Sequence, residues 1–380
     1  MKILRVANIP DNRTGGMSRV MYSTGDHLIK MGHHVDYLFS EQIEINIPNY
    51  LNRFTPLCIP SLIEKLKRQN QRYDIVEIHE AIAAPYCFMR QFNKDLPPVV
   101  VFSHGLEKRL QMAEFAYYTT KKLPISLSLR YFRLTVAQSI YAIHHADHVI
   151  CLNSEDLCYL RGRGLSPNKI SQHSNGVDSK FLIAGEDLSK DNIFRSGVLF
   201  LGSWIYRKGI LDLVSAMSNL MQHHSLLKLT IAGCGCDEKA VLAYFPEHLR
   251  SRIRVIPKVS SNEELIEIYR QHEIFVLPSY YEGQPLVMLE AAAMGLAIVT
   301  TNICGMADFI EPEIDGLLVP AGNCQALEEA IEKLLQNQTL TKQIGENIRE
   351  KVQKYTWEMS AMKIYEAYNK AAKNALAESL

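Results

Sequence analysis

Short apolar runs alternate with longer amphipathic stretches along this chain, and they do so twice. In the first half, residues 2–8, Val35–Phe39, Ile75–Ile78, Val99–Ser103 and Val149–Leu152 read as strands. After Gly197 the alternation restarts, with Val198–Leu201, Lys228–Ala232, Ile253–Ile256, Ile274–Leu277, Ala297–Thr300 and Leu317–Val319. The stretches between them place apolar residues at helical spacing. Strands that alternate with helices predict βαβ units and parallel sheets. The expected fold class is α/β, two doubly wound domains with helices on both faces of each sheet. A polar stretch at 183–196 (Gly185, Glu186, Asp187, Ser189, Lys190, Asp191, Asn192) reads as the linker, dividing the chain into domains 1–185 and 186–357. Residues 323–354 read as two surface helices. Trp357 to Ala377 reads as a long terminal helix with Trp357, Ala361, Ile364, Tyr365, Tyr368 and Ala372 on its apolar side. Residues 358–380 are expected to pack back on the first domain.

Composition agrees with two globular cores: of 380 residues, 47% are hydrophobic and 22% charged. Net charge is zero but uneven. Residues 1–185 hold 22 Lys+Arg against 16 Asp+Glu, a net of +6, and the remainder is −6. That split either holds the halves together or brings the basic half to an anionic surface. The eight cysteines show no zinc-type spacing and read as reduced thiols of a cytoplasmic protein. The first apolar run is too short for a signal peptide, and no run approaches membrane-spanning length.

The densest candidate chemistry lies in Ser279-Tyr-Tyr-Glu-Gly-Gln-Pro-Leu-Val-Met-Leu-Glu290. Pro285 suits a first helical position, where its missing N–H would be unpaired anyway. Glu282 then sits on the loop and Glu290 about one and a half turns into the helix. Two acids beside a helix N-terminus exceed what capping needs, and they suit sugar hydroxyls. Arg207-Lys208-Gly209 lies between a strand and a helix, where a basic pair either clamps a diphosphate or is a plain solvated loop. Gly15-Gly16, between strand end and helix start, permits close approach of a phosphate or simply makes a turn. His104-Gly105 ends a buried strand, which places the histidine for chemistry or for capping a loop.

Other motifs point nowhere further. Gly15-Gly16 is not followed by the Lys-Ser/Thr of a P-loop. Ala232-Gly-Cys-Gly235 lacks the third glycine of a dinucleotide fingerprint, with Glu238 standing there, and reads as a tight turn. His144, His145, Asp147 and His148 suggest a metal, but adjacent histidines diverge on a helix. Residues 106–135 interleave Lys108, Arg109, Lys121, Lys122, Arg130 and Arg133 with aromatic and aliphatic residues. That composition fits anionic lipid headgroups, or an ordinary helix packed on its own domain. No motif supports nucleic-acid binding.

These motifs, taken in order, resemble the retaining glycosyltransferases of family 4, which have the two-domain GT-B fold. The resemblance is carried by Phe200-Leu-Gly-x5-Lys208-Gly209, Ile231-Ala-Gly-x-Gly235, Pro278-Ser-Tyr-Tyr-Glu282-x7-Glu290 and Asp315-Gly-Leu-Leu-Val-Pro320. Gly15-Gly16, Ser103-His104-Gly105 and Asn175-Gly-Val-Asp178 sit where the family has them, and the match is looser between about 40 and 150. The resemblance implies two Rossmann-like domains facing a central cleft. It implies that Glu290 holds the ribose of a nucleotide-sugar, that Glu282 and the backbone from Gly283 through Gln284, Pro285 and Leu286 hold the donor sugar, and that Arg207 and Lys208 hold the diphosphate. His104 would face the donor sugar, and Gly16 would admit phosphate or acceptor. It implies neither metal nor cofactor, the nucleotide-sugar being a substrate. The sequence departs from the family at Ser203, where arginine is usual, at Cys304-Gly305, where a glycine pair is usual, and at Pro257-Lys258, where a glycine near the base is usual.

The expected function is retaining transfer of a sugar, most simply from a UDP-sugar, to a hydroxyl of a surface polysaccharide or lipid-linked oligosaccharide. Acceptor binding is expected on the basic first domain, in the cytoplasm or at the inner membrane face, with 106–135 the stretch to touch lipid. Two other readings are a nucleotide-sugar epimerase on the same fold and a silent nucleotide-sugar-binding partner subunit.

Overall fold

A computed structural model describes residues 1–13, 15–43, 59, 63, 72–122, 127–190 and 195–377, with the side chains of 127–133, 189 and 190 excepted. The chain forms two compact units. The first comprises Met1–Met112, Pro124–Asn175 and Trp357–Leu380, and the second Ala113–Leu123 and Gly176–Thr356.

The first unit holds a six-stranded sheet of β1 (Lys2–Val6), β2 (His34–Leu38), β3 (Ile75–His79), β4 (Val99–Phe102), β5 (His148–Cys151) and β6 (Ile170–Gln172). Its order is β2-β1-β3-β4-β5-β6, and every pairing is parallel. All residues of β3, β4 and β5 are buried, as in parallel strands covered on both faces. β6 escapes the apolar-run criterion because only Ile170 of its three residues is buried.

The terminal helix Trp357–Ala377 lies in this unit, with Ala361, Ile364, Tyr368 and Ala371 in the core. Ala371, not Ala372, is the inward residue, and Tyr365 stacks on His33 at 4.5 Å. Tyr368 donates to the buried Glu77 carboxylate at 2.7 Å, and Asn374 donates to the Asp147 carbonyl at 2.9 Å.

In the second unit β7 (Val198–Leu201), β8 (Leu229–Ala232), β9 (Ile253–Ile256), β10 (Ile274–Leu277), β11 (Ala297–Thr301) and β12 (Leu317–Val319) form a parallel sheet of order β12-β11-β10-β7-β8-β9. The polar stretch expected as a linker is instead helical to residue 190, within Ser179–Lys190. Phe181, Gly185 and Leu188 are spaced as one buried face, and the polar residues between them look outward. A Cβ on Gly185 would lie 1.9 Å from the Ala293 carbonyl oxygen, so glycine there serves packing. Asp191 and Asn192 lie outside the described residues.

Strand order locates the sites. In each open sheet the order reverses once, between β1 and β3 in the first and between β7 and β10 in the second. Loops leaving the carboxyl ends of such neighbouring strands part in opposite directions and open a crevice.

Candidate active site

At the second reversal, the loops after β7 and β10 are stitched together by backbone. The Tyr280 amide donates to the Arg207 carbonyl at 2.8 Å. Gly209 adopts φ +70°, and a Cβ there would lie 1.9 Å from the Pro278 carbonyl oxygen. Glycine is needed on both counts. The stitch delivers two cations to one acid. Arg207 Nη1 lies 2.8 Å from Glu282 Oε1 and also donates to the Tyr281 carbonyl at 2.8 Å, while Lys208 Nζ lies 2.7 Å from the same Oε1. Burial would raise the Glu282 pKa, but the charges of Lys208 and then Arg207 outweigh it and hold the carboxyl below its ordinary value. The cluster is not sealed: the Arg207, Lys208 and Glu282 side chains keep 21%, 13% and 12% of their exposure.

Glu290 lies one turn into the helix Leu286–Ala293 and is 3% exposed. Pro285 is the residue before that helix, at φ −72° and ψ 123°, so the first helical residue is Leu286 and not Pro285. Tyr269 donates to Glu290 Oε2 at 3.0 Å and contacts the Val287 carbonyl at 3.1 Å. Gly283 and Gln284 are buried, and Gly305 packs on them: a Cβ on Gly305 would lie 1.9 Å from the Gly283 carbonyl oxygen. Cys304 before it holds φ +50°, a left-handed conformation that explains why a glycine pair would sit easily there. Ser203 and Lys258 are both exposed, and Lys258 follows β9, two strands from β7.

In the first unit, the loop after β1 leads into the helix Gly16–Lys30. The Gly15 amide donates to Asn12 Oδ1 at 2.6 Å, and a Cβ on Gly15 would crowd Ser18 Oγ at 2.8 Å. A Cβ on Gly16 meets no atom within 4 Å. Packing therefore explains Gly15 and leaves Gly16 unexplained. Asn175 is buried at the end of its segment of this unit.

His104, after β4, has the Phe102 and His79 ring centroids 4.7 and 4.8 Å away, and those two rings lie 5.5 Å from each other. Its Nε2 lies 2.8 Å from His79 Nδ1, and His79 Nε2 lies 3.4 Å from Glu77 Oε1. Glu77 is fully buried against Arg5, whose Nη2 is 2.7 Å away. Burial would raise the Glu77 pKa, but Arg5 and then His79 drive it far below the carboxylate range. Burial lowers the His79 pKa and lowers that of His104 further, with His79 adding to the latter. With both pKa values lowered, the two rings are neutral at neutral pH, and across the 2.8 Å contact one ring nitrogen donates and the other accepts, according to the tautomer.

Beside it, buried Glu80 at φ +26° accepts from Ser103 Oγ (2.7 Å), Ser139 Oγ (2.6 Å) and the Glu107 amide (2.9 Å). Sequence reasoning missed Glu77, His79, Glu80 and Tyr269. A signal was available in Arg5, a charge in the middle of Ile3-Leu4-Arg5-Val6, which requires a buried partner.

Several basic residues of 106–135 are engaged. Arg109 pairs with Glu155 and Asp156, and Lys121 with Asp212. Leu123 and Ile125, and the side chains of 127–133, lie outside the described residues. Asp147 pairs with Arg90, and His148 bonds Ser171. Among the described residues no group of three or more His, Cys, Asp or Glu is placed to hold a metal ion, and no helix is long and apolar enough to cross a membrane.

Residues 14–181 match the model of Glycosyltransferase Family 4, and residues 189–351 that of Glycosyl transferases group 1. The chain is 28% identical over 251 residues to the N,N'-diacetylbacillosaminyl-diphospho-undecaprenol alpha-1,3-N-acetylgalactosaminyltransferase of Campylobacter jejuni, covering 63% of this chain and 65% of that one. Across the first curated relatives it matches, the chain spans between 44% and 65% of their length. Among solved structures, the sucrose-phosphate synthase of Thermosynechococcus elongatus superposes with a TM-score of 0.76 at 22% identity, covering 97% of this chain and 98% of that one. HepE of Anabaena, solved in complex with UDP, superposes with a TM-score of 0.66 at 15% identity, covering 96% and 99%. At such identities the superpositions speak for the fold, two Rossmann-like domains, and the two family models between them take in most of the chain. The chain belongs to the family 4-like glycosyltransferases of the GT-B fold.

Proposed function

We propose that this protein transfers a hexose, with retention, from a UDP-sugar to a hydroxyl of a lipid-linked or polysaccharide glycan. The observation that carries the reading is the cluster at the β7/β10 reversal: two cations shared by one incompletely buried carboxylate, with Glu290 a turn into the adjoining helix. A diphosphate is an anion that Arg207 and Lys208 can bind by exchanging part of their contact with Glu282. The cations then stabilise charge as it grows on the leaving oxygen, work that a divalent metal would otherwise do. Glu282, held ionised, accepts from hydroxyls of the transferred sugar, and Glu290 accepts from the two ribose hydroxyls.

The C1–O bond to the phosphate breaks as the C1–O bond to the acceptor forms on the same face. The acceptor's proton passes to the departing phosphate oxygen, so no carboxylate nucleophile is required, unlike in retaining glycosidases. In the tautomer that carries its proton on Nε2, His104 takes a hydrogen bond from a substrate hydroxyl on Nδ1. Gly16, whose missing Cβ nothing in its own unit demands, leaves room for ligand backbone contact. The UDP choice is supported by the UDP complex of the similarly folded HepE, and the lipid-linked acceptor by the diphospho-undecaprenol-linked acceptor for which the C. jejuni relative is named. Such an acceptor would bring the protein from the cytoplasm to the inner membrane face.

The test is a panel of nucleotide-sugars scored for binding and for slow diphosphate release in the presence of chelator. One UDP-sugar should bind and release UDP, and Glu290→Ala should weaken its binding by roughly 10- to 100-fold, the worth of hydrogen bonds to a charged group. Binding without release would indicate a silent subunit, and conversion of donor without UDP release an epimerase. Equal binding by Glu290→Ala and parent would sink the proposal.

A further inference from the structure

A second cavity lies beside Arg207 within the same unit, with a volume of about 370 Å³. That is within the range of small-molecule sites, about 300–1,000 Å³. Five of its lining residues are aromatic, and two ring pairs among them meet at steep angles. Tyr118 meets Tyr206 edge-on at 5.8 Å and 83°, and Trp204 meets Tyr244 at 5.7 Å and 79°. Glu114 also lines it. That carboxylate is half-buried, and among the described residues no hydrogen-bond partner is found for it. Burial raises its pKa, with Arg207 opposing. Trp204 is 7% exposed, and its indole N–H is buried without a partner.

We propose that this cavity is an acceptor subsite that takes a neutral hexopyranose ring. The proposal rests on reading Arg207 and Glu282 as the diphosphate and sugar end of the donor site. A pyranose has an apolar face of C–H bonds that packs on aromatic rings and a rim of hydroxyls that both donate and accept. Glu114 supplies an acceptor for that rim, and the rings supply the apolar face. An anionic ligand is disfavoured, because the carboxylate repels it and the one cation in the wall, Arg207, already serves Glu282 and the Tyr281 carbonyl. An acyl or prenyl chain is disfavoured too, since it would set the Glu114 carboxylate against hydrocarbon. A nucleobase fits poorly because the cavity shares no wall with Glu290 or its helix.

The experiment uses the full chain, UDP as the donor-side probe, and the methyl α- and β-glycosides of glucose, galactose, mannose, N-acetylglucosamine and N-acetylgalactosamine as ring probes. Binding is followed by calorimetry and by tryptophan emission, with and without UDP. Trp204 is one of only two tryptophans, so its emission reports on this cavity. At least one glycoside should bind saturably and change that emission. Glu114→Gln and Tyr118→Ala, both at partly exposed positions, should each weaken it by about tenfold while UDP binds as in the parent. The proposal is overturned if no methyl glycoside saturates in the parent, if both variants bind it as the parent does, or if the variants lose UDP affinity in step. Failure of the donor reading looks different: UDP would bind to none of the three proteins, whereas the loss of glycoside binding in the variants would still uphold the cavity.

Discussion

Both sheets place a cation–carboxylate contact where their strand order reverses, and the two contacts differ in depth. In the first unit, Arg5 on β1 and Glu77 on β3 are register partners across the reversal, and both side chains are wholly buried. The pair is also closed chemically: Arg5 donates to the Met21 carbonyl (2.6 Å) and Thr24 Oγ1 (2.7 Å), and Glu77 accepts from Tyr368. In the second unit, the strands at the reversal pair apolar residues, Ile274 with Val198 and Phe275 with Leu199. The charges there come one layer later, on the loops, where Arg207, Lys208 and Glu282 keep contact with water. Depth decides use. A pair buried away from water cannot exchange its partners for a ligand, and Glu77 instead lies beside His79 and a neutral His104. The loop cluster keeps an edge in water, as the proposed exchange of Glu282 for a ligand anion requires.

The sharpest way to break this comparison is to remove one member from each cluster. Arg5→Ala leaves the Glu77 carboxylate buried without its cation, and should cost about 3–5 kcal/mol of stability. Glu282→Gln, in a cluster that keeps an edge in water and whose Arg207 retains the Tyr281 carbonyl, should cost less, about 1–3 kcal/mol. Denaturant midpoints of the two variants measure the difference. Equal losses would show that the two clusters do not differ in kind.

That asymmetry also governs what could be read from sequence. Strands buried on both faces are continuous apolar runs, so Val198–Leu201 and Ile274–Leu277 are visible residue for residue. The loop charges of the second unit are visible because Arg207, Lys208 and Glu282 have no role in a core, although the ion pair spanning 75 residues is not local information. The relay of the first unit is hidden inside a strand. Glu77 and His79 look like the outward half of an alternating pattern, and only the buried Arg5 contradicts that. Pro285 misled by one residue because a missing N–H is harmless both at the first helical position and just before it. The stretch after residue 183 misled because glycine at 185 dilutes an apolar face that polar neighbours then mask.

A second test uses pH. Glu80 shares the interior with Glu77 but has no cation beside it. Burial first, and the Glu107 charge second, push its carboxyl up to about 8, against an ordinary value of 4.5. Between those values the folded protein keeps a proton that the unfolded chain has lost. The contribution is therefore full below about 4.5 and disappears as pH rises through 8. Glu282 has the opposite sign: its pKa is lowered, so its contribution is present at neutral pH and is lost as pH falls through the folded value. Denaturant midpoints of the parent and Glu80→Gln at pH 5 and pH 8.5 isolate the first effect, because the low pKa values of His79 and His104 are common to both proteins. The parent should lose stability relative to the variant on going to pH 8.5. A gap that does not move with pH would remove Glu80 from this account.

The smallest effect separates the two units most finely. Each has a tyrosine hydroxyl that donates to a buried glutamate: Tyr368 to Glu77 at 2.7 Å, and Tyr269 to Glu290 at 3.0 Å. Either hydroxyl is worth about 0.5–1.5 kcal/mol. In the first unit the glutamate serves the fold, so Tyr368→Phe should lower the denaturation midpoint slightly and leave UDP affinity alone. In the second the glutamate is proposed to hold ribose, so Tyr269→Phe should loosen its orientation and weaken UDP binding by about 2- to 10-fold. Turnover at saturating donor should stay near the parent's, because a contact made equally in ground and transition states changes KM and not kcat. If Tyr269→Phe bound UDP as tightly as Tyr368→Phe does, Glu290 would have to be read as a core residue like Glu77, and the β7/β10 reversal would lose its ribose contact.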